Sequence, residues 1–242
     1  MRAPFVLGPD PRSPFPPAEL ALEDPEGLVC VGGDLSPQRL IHAYAAGQFP
    51  WFNAGQPILW WSPAERLVFQ SDRVRLSRRF RRSLRQNTWE VRFNTAFDAV
   101  MAACAHTPRR DQDGTWITPA MQRAYSDLHR LGHAHSVEVW DGPRLVGGLY
   151  GVSVGTGFHA ESMVSLESGG SKIALAALGG RLQALAWPQF DAQMENSHLR
   201  FMGGEVWPRA QFLSSFRPRT ASLSPCSDWA GAPFPARDLA EV

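Results

Sequence analysis

Residues 135–163 read HSVEVWDGPRLVGGLYGVSVGTGFHAESM, and the architecture can be worked out from this stretch. It alternates through two or three strands, with Asp141-Gly142 as one hairpin turn and Gly155-Thr156-Gly157 as a second. The next stretch, SKIALAALGGRLQALAW, spaces four leucines on one face of a helix: Leu175, Leu178, Leu182 and Leu185. Hairpins followed by a helix and then a strand at residues 189–194 predict a mixed α/β, or α+β, domain.

A smaller unit precedes this domain. In GLVCVGGDLSPQRLIHAYAAG, residues 27–47, we expect a short strand and then a helix that Ser36 caps, with Pro37 in its first turn. An aromatic loop, GQFPWFNAGQPILWWSP, follows at residues 47–63. We therefore predict three regions: a small N-terminal α/β domain (1–64), a second, mixed α/β domain (65–216), and a loosely ordered tail rich in Pro, Ser and Ala (217–242).

Bulk composition limits the class of protein. The chain has 242 residues, of which 44% are hydrophobic, and this is enough for one large core or two smaller ones. No apolar run approaches the length of a membrane span, and prolines interrupt the N-terminus where a signal peptide needs a continuous apolar segment. Three widely spaced cysteines fit neither a disulfide framework nor a thiolate metal site. We expect a cytoplasmic protein with reduced thiols and no membrane partner.

The net charge of +1 is unevenly distributed, because the region between residues 65 and 130 is basic and both flanks are acidic. Residues 73–85 carry seven arginines and no acid. A solvated helix face is one interpretation, but the density favours a phosphate-binding track. The candidate phosphate-binding residues are Arg75, Arg78, Arg79, Arg81, Arg82 and Arg85.

Cations beside exposed rings are typical of proteins that bind nucleic acid with unstacked bases, in which the cations contact the phosphates and the rings stack on the bases. The alternative for Trp51, Trp60 and Trp61 is a core between two domains, and some of the three are expected to serve that purpose.

Two further positions carry candidate chemistry. On a strand at residues 189–194, Asp191 and Gln193 would point to the same face. Their ordinary interpretation is the polar face of an edge strand, and the residues alone favour it. Glu161 follows a hairpin and has apolar neighbours, so it is either paired or functional.

Other motifs are weak. GTGFHA, residues 155–160, matches G-x-G-x-x-A, but the residues after it are a poor phosphate-binding helix, so a hairpin turn is the better interpretation. The cluster His129, His133 and His135 lacks a HExxH pattern and cysteine partners, so we expect no metal. No G-x-S-x-G is present, and any acyl transfer would be direct attack by the nucleophile of the substrate.

Several long motifs occur together in this chain: GLVCVGGDLSPQRLIHAYAAGQFPWF, ILWWSP, GTWITPAM, LGHAHSVEVW, LVGGLYGV, ESM and DAQMENSH. In order and spacing they resemble the leucyl/phenylalanyl-tRNA–protein transferase family, over about residues 14 to 216.

The resemblance implies an enzyme that moves Leu or Phe, and Met less well, from aminoacyl-tRNA to the α-amino group of proteins beginning with Arg or Lys. The product is marked for degradation in the bacterial N-end rule pathway. The resemblance also implies that the second domain has a GCN5-related N-acetyltransferase-like fold, and that the enzyme needs no metal or small cofactor. We expect a monomer.

Site residues follow from the same resemblance. Trp51 and Trp116 would bind the terminal adenosine, and Glu161, Asp191 and Gln193 fall on catalytic positions. The pocket for the aminoacyl side chain would be lined by Leu149, Met163, Leu175, Leu178, Leu182 and Phe190. Ala160 and Val164 stand where Gly and Phe are usual in the family, and FMGGEVWPRAQF is an atypical version of its closing motif.

We hypothesise that Gln193 accepts a hydrogen bond from the attacking amine, that Asp191 polarises Gln193 and stabilises the developing positive charge electrostatically, and that Glu161 holds the aminoacyl-adenosine end or the acceptor's cation. In the alternative, Asp191 and Glu161 only anchor the Arg or Lys of the acceptor. Two other functions stay open from the sequence: an RNA-binding module without catalysis, and an N-acetyltransferase that uses acetyl-CoA, for which SLESGGSKIAL is a weak pyrophosphate-loop candidate.

Overall fold

The structure of the protein is a computed structural model that describes residues 3–107 and 115–241. Gly114 of the GTWI motif lies outside the described residues. In this part of the chain the backbone forms two sheets, one of four strands and one of eight, with helices packed against them. The predicted α+β class is confirmed, and the likeness to GCN5-related acetyltransferases remains a prediction.

The smaller sheet is built from the N-terminal residues. Its strands are β1 (Phe5–Leu7), β2 (Leu28–Gly32), β3 (Phe49–Pro50) and β4 (Leu59–Trp61), in the spatial order β1-β2-β4-β3. Helix α1 (Pro37–Ala45) connects β2 to β3. The Ser36 hydroxyl accepts a hydrogen bond from the Arg39 backbone N–H, so the predicted cap is confirmed.

The aromatic stretch is a hairpin and not only a loop. Strands β3 and β4 pair antiparallel, with Phe49 opposite Trp61 and Pro50 opposite Trp60. Trp60 is fully buried and donates its ring N–H to the carbonyl of Gly32. Trp60 therefore does form core, as the ordinary interpretation holds, whereas Trp51, which follows β3, is exposed.

The larger sheet spans the rest of the described chain. Its strands are β5 (Glu65–Gln70), β6 (Glu90–Phe93), β7 (Ala134–Asp141), β8 (Arg144–Val154), β9 (Gly157–Ser165), β10 (Gln189–Asp191), β11 (Glu205–Pro208) and β12 (Phe234–Pro235). Their order is β11-β5-β10-β9-β8-β7-β6-β12. Strands β7, β8 and β9 form the predicted meander, with Gly142 and Gly155 in the left-handed conformation at its two turns.

Strand β10 is shorter than predicted and lies inside the sheet. It pairs antiparallel with β5 and parallel with β9, so its residues are not at an edge. It ends at Asp191, and Gln193 has a left-handed backbone with φ of 59°. The prediction of a strand through residue 194, and the edge-strand interpretation of Asp191, are therefore wrong.

Six further helices surround the large sheet in the described ranges: α2 (Arg78–Leu84), α3 (Phe97–His106), α4 (Pro119–Arg130), α5 (Gly170–Ala184), α6 (Ser197–Phe201) and α7 (Arg209–Thr220). Ser77 and Thr118 accept hydrogen bonds from backbone N–H groups at the starts of α2 and α4. Helix α5 carries the predicted leucine stripe, and most of its residues are buried.

The expected loosely ordered tail is wrong for the described residues up to 241. Trp229 is buried and stacks against Phe158 and His135. Farther on, β12 pairs with β6, and a 3-10 turn at Ala236–Ala240 buries Leu239. The segment is rich in Pro, Ser and Ala, but its few apolar residues pack against the rest of the protein and hold it there.

One apolar core joins the small sheet to the large one. It combines Leu7, Tyr44 and Trp60 from the N-terminal region with Tyr125 and Val152 from the region that forms the large sheet and its helices. The boundaries proposed at residues 64 and 216 stay predictions, but the contact between the two units positions the cleft described next.

Candidate active site

A cleft of about 490 Å³ opens where the aromatic hairpin meets the large sheet. Its lining is mostly apolar, as in pockets that bind small organic groups. Seven of the predicted site residues line it: Trp51, Trp116, Leu149, Glu161, Met163, Leu175 and Gln193. These residues come from six separate segments, which only the fold brings together.

Part of the predicted side-chain pocket is present. Leu149 from β8, Met163 from β9 and Leu175 from α5 line the cleft. Leu178, Leu182 and Phe190 do not; they are fully buried in the main core, and the Phe190 ring stacks on Phe69. The assignment of these three residues to the side-chain pocket stays a prediction.

The two departures from the family pattern differ in position. Ala160 lines the cleft, and its methyl group takes space there. Val164 is buried in the shared core and does not line the cleft. Residue 160, and not residue 164, is therefore the departure that lies at the cleft.

The tryptophans at the mouth differ in exposure. Trp51 is 38% exposed, whereas Trp116 is 6% exposed, although both line the cleft. The Trp61 ring packs edge-on against Trp51 at 5.9 Å and donates its N–H to the Trp51 carbonyl. Trp51 is thus held in place while part of its ring stays exposed.

Gln193 is fixed from both its backbone and its side chain. Its backbone N–H donates to Asp191 Oδ1 (2.9 Å), and its carbonyl accepts from the Leu67 N–H (3.0 Å). The first bond closes an Asx turn, which supports the left-handed backbone of Gln193. Its side-chain Nε2 donates to Glu161 Oε1 at 2.6 Å.

Glu161 lies among neutral donors. Besides Gln193, the Tyr125 hydroxyl donates to Glu161 Oε2 (3.0 Å), and the Tyr44 hydroxyl lies 2.5 Å from that of Tyr125. Burial raises the pKa of Glu161, and although the tyrosine hydroxyls oppose this, the pKa is about 7. Glu161 can therefore change its charge near neutral pH.

Asp191 is fully buried and charged. Burial works to raise its pKa, but the Arg66 guanidinium and His159 outweigh burial and lower the pKa to about 2. Arg66 Nε contacts Asp191 Oδ1 (3.2 Å), Arg66 Nη2 contacts Oδ2, and His159 Nδ1 lies 2.9 Å from Oδ2.

The guanidinium of Arg66 is itself enclosed. Its Nη1 donates to the Gly47 carbonyl, and the group lies over the rings of Phe49 (5.1 Å) and Phe212 (4.1 Å). This arrangement fixes the plane of the guanidinium and so the position of the Asp191 carboxylate.

This geometry limits the contacts that Asp191 can make, and its electrostatic effect on the developing positive charge stays a prediction. Its carboxylate does not contact the side-chain amide of Gln193, does not line the cleft, and is occupied by three partners. It therefore neither polarises that amide by contact nor is free to anchor an acceptor's cation. The group in contact with the amide is Glu161.

The arginine run lies at the surface. Arg75, Arg78, Arg79, Arg82 and Arg85 are exposed and Arg81 is half-buried. Arg85 pairs with Glu241, whereas among the described residues Arg75, Arg78, Arg79 and Arg82 have no carboxylate within ion-pair distance. Unpaired guanidinium groups are available for phosphates.

The histidine cluster is structural. His129 and His133 each place Nδ1 at the carbonyl of another residue, Ala134 and Ser153, and His135 stacks on Trp229. Within the described ranges, no group of His, Cys, Asp and Glu residues could hold a metal ion, and no helix is long and apolar enough to cross a membrane.

Sequence reasoning missed the four residues that hold the two carboxylates: Arg66, His159, Tyr44 and Tyr125. Arg66 stands among apolar residues in ERLVF, but 23 arginines in the chain hide any one of them. The tyrosines offered a better signal, because the chain has only three and two of them meet at Glu161.

Comparisons with known proteins agree with the motifs. The sequence profile described as leucyl/phenylalanyl-tRNA protein transferase matches residues 68–217, and that of the N-terminal domain of the same family matches residues 33–64. Among solved structures, the C-terminal domain of a putative lysylphosphatidylglycerol synthetase from Agrobacterium fabrum aligns with a TM-score of 0.38 and 11% identity over 82% of this chain and 61% of that chain. A likeness that low carries no argument.

Curated relatives are much closer. The leucyl/phenylalanyl-tRNA–protein transferase of Xanthomonas euvesicatoria is 60% identical over 94% of this chain and 91% of its own length. That of Xanthomonas axonopodis is 57% identical over 99% and 97%, and that of Xylella fastidiosa is 60% identical over 88% of each chain. With this identity over almost its whole length, the chain belongs to the leucyl/phenylalanyl-tRNA–protein transferase family.

Proposed function

We propose that this protein transfers leucine or phenylalanine from aminoacyl-tRNA to the N-terminal amine of acceptor proteins. The observation that carries the proposal is the joint cleft: an exposed tryptophan at the mouth, an apolar floor, and the Gln193–Glu161 pair beside that floor. A ring, an apolar pocket and a hydrogen-bond acceptor are what a terminal adenosine, an aminoacyl side chain and an attacking amine require.

In this proposal the adenosine stacks on Trp51, with Trp116 as the second ring. The aminoacyl side chain enters between Leu149, Met163 and Leu175. Placing the ester within attack distance of the amine contributes about 7–11 kcal/mol toward the barrier, because the reaction becomes effectively unimolecular.

The chemical step needs one proton transfer and no cofactor. The amine nitrogen attacks the ester carbonyl, the bond from that carbon to the ribose oxygen breaks, and the amine proton ends on the ribose hydroxyl. The amine has an ordinary pKa of about 7.7–8.0, so a useful fraction is neutral at pH 7. Gln193 Oε1 accepts a hydrogen bond from the amine, while Asp191 holds the backbone of Gln193.

The acceptor side of the proposal is that proteins beginning with Arg or Lys are preferred. Within the described residues, Glu161 is the only acidic side chain that lines the cleft, and in its ionised form it attracts a cation. We further propose that the protein works as a monomer in the cytoplasm and that its products are degraded by the N-end rule pathway.

The arginine run would carry the tRNA. It is connected to the cleft through α6: the Arg75 N–H donates to the Met202 carbonyl next to α6, and residues Asn196 and Leu199 of this region line the cleft. Lys172, whose Nζ lies over the Phe80 ring of α2, adds a further cation beside the arginine run. The phosphates of an acceptor stem could then follow α2 to the mouth.

The direct test is to incubate the protein with tRNA carrying radiolabelled phenylalanine and with an acceptor protein that begins with Arg. We expect label in the acceptor, and none when the acceptor's amine is acetylated. Label from acetyl-CoA instead would indicate an N-acetyltransferase. Binding of tRNA without transfer to any acceptor would indicate an RNA-binding module and refute the proposal.

Salt dependence tests the arginine run. Changing Arg78, Arg79 and Arg82 to Glu should weaken aminoacyl-tRNA binding and flatten the slope of log affinity against log salt by about one for each phosphate that the variant no longer binds. Arg144→Glu is the matched control, because Arg144 is already paired with Asp141 and Glu167. An unchanged slope would leave the run as a solvated surface.

A further inference from the structure

A chain of hydrogen bonds leads from the cleft into the core between the two sheets. It runs from Gln193 Nε2 to Glu161 Oε1 (2.6 Å), from Glu161 Oε2 to the Tyr125 hydroxyl (3.0 Å), and on to the Tyr44 hydroxyl (2.5 Å). Both tyrosines are buried, and each comes from a different helix, α1 or α4. A chain of this kind holds its members in one arrangement.

The chain has a consequence for the amide of Gln193. An ionised carboxylate only accepts hydrogen bonds, so it selects the NH₂ end of the amide. The carbonyl end, Oε1, is then the end left for the cleft, and it has no partner among the described residues. A carbonyl oxygen can accept a hydrogen bond from an amine, whereas an NH₂ group cannot.

A protonated Glu161 would reverse this arrangement. Its O–H would donate to the amide carbonyl, and the amide would turn its NH₂ group to the cleft. Since the Tyr125 hydroxyl supplies a donor that suits the carboxylate form, the tyrosine pair favours the orientation in which Oε1 faces the amine.

We propose that Glu161, held by Tyr125 and Tyr44, is a positioning residue whose protonation decides which end of the Gln193 amide faces the cleft. The inference rests on the proposed function, because it concerns the same reaction. The ionised form is the productive one, and its effect on the attacking amine passes through Gln193.

The groups that face Glu161 come from three elements. Tyr44 of α1 and Tyr125 of α4 oppose the effect of burial, Gln193 lies after β10, and Asp191 of β10 raises the pKa of Glu161 through its charge. Tyr150 of β8 packs edge-on against Tyr125, and Arg66 and His159 contact Asp191 and not Glu161. The pKa of about 7 for Glu161 places the change within the working range of the enzyme.

The test is the pH dependence of kcat/KM for the acceptor, measured between about pH 5.5 and 8.5 with saturating aminoacyl-tRNA. Two ionisations should appear in wild type, one from the acceptor's amine and one from Glu161, so log(kcat/KM) should rise with a slope of two at low pH. In Glu161→Gln only the amine titrates, and the slope should be one. Glu167→Gln, at a surface residue paired with Arg144, is the matched control and should keep a slope of two.

Tyr125→Phe should shift the ionisation of Glu161 in the pH profile of kcat/KM to higher pH, because the variant lacks a hydrogen bond to the carboxylate. We expect about a tenfold fall in kcat/KM at pH 6 and little change at pH 8.5. Thermal melting at each pH checks the fold. If this variant does not fold, Tyr44→Phe replaces it, since that hydroxyl also favours the charged form of Glu161.

The outcomes separate the inference from the proposed function. Three outcomes would each overturn the inference while transfer itself persists. They are a wild-type slope of one, a slope of two in Glu161→Gln, and a pH profile that does not shift in a folded tyrosine variant. Absence of transfer by wild type at every pH would instead refute the proposed function, and the inference with it.

Discussion

Gln193 lies between two carboxylate environments that differ in almost every respect. On one side Asp191 is enclosed by Arg66 and His159, and its pKa is lowered to about 2. On the other side Glu161 is surrounded by neutral hydroxyl and amide groups, and its pKa is raised to about 7. Burial opposes ionisation in both places, so the difference comes from the partner: a buried cation outweighs the loss of water, and neutral donors do not.

The comparison suggests a division of tasks around one glutamine. Asp191 keeps its charge at any pH at which the enzyme works, and its bond to the Gln193 backbone is therefore permanent. Glu161 can gain or lose a proton in the same range, and its bond to the Gln193 side chain depends on pH. The main chain of the residue is thus fixed, and its amide is adjustable.

The largest effect is expected from removing the ion pair between Arg66 and Asp191. Arg66→Met leaves Asp191 buried without its main cationic partner, and should lower the free energy of unfolding by about 3–5 kcal/mol in urea titrations. Arg73→Met, at an exposed arginine 3.9 Å from Glu205, should cost less than about 1 kcal/mol. Equal losses in the two variants would contradict the role given to Arg66.

The next effect concerns the turn that Asp191 closes. Asp191→Asn keeps an oxygen that accepts from the Gln193 N–H, so kcat at saturating acceptor should stay within about tenfold of wild type. Asp191→Ala loses that oxygen and should lower kcat about a hundredfold, because Gln193 is then misplaced.

The measurement is the steady-state rate of both Asp191 variants, with Gln193→Ala as the reference for a missing amide. It shows whether the reaction needs the charge of Asp191 or only its hydrogen bond to the Gln193 backbone. If Asn is as damaging as Ala, the charge of Asp191 acts in the reaction itself, and the division of tasks is wrong.

The smallest expected effect separates the two carboxylates by the pH dependence of stability. The folded protein binds the proton of Glu161 more tightly than the unfolded chain does, so this group lowers stability as the pH rises from about 4.5 to about 7. Asp191 has the opposite sign: its contribution is complete above about pH 4 and is lost as the pH falls through about 2.

Glu161→Gln should therefore gain about 2 kcal/mol relative to wild type between pH 4.5 and pH 6.5, measured by urea unfolding at both values. Glu167→Gln should show no such change, because Glu167 is on the surface beside Arg144. A constant difference between Glu161→Gln and wild type would mean that Glu161 keeps an ordinary pKa in the folded protein.

Local signals predicted many elements of the fold. Ser36 caps a helix as expected, and glycines mark both turns of the meander. These signals act between residues a few positions apart, so they are readable along the chain. The prediction of a loosely ordered tail was wrong because the contacts that hold the tail are not local. Trp229 stacks on Phe158 and His135, which are distant in sequence.

The site was predicted in part, chiefly through the family resemblance. Residues that line the cleft on the aromatic hairpin and the meander were found, whereas Leu178, Leu182 and Phe190, which were assigned to the side-chain pocket, lie in the buried core. Arg66 lies 125 positions from Asp191 and gave no signal of their pairing. Long-range ion pairs leave no periodicity in a sequence.

The sequence by itself determined the α+β class, the meander, the helix caps and, through its motifs, the family. It did so because propensity, capping and alternation act over a few residues, and because long motifs are specific. Only the tertiary structure decided which carboxylate contacts the Gln193 amide and which holds its backbone. Those roles depend on which groups from distant segments share a buried volume, where neighbours replace water and set the charge of each acid.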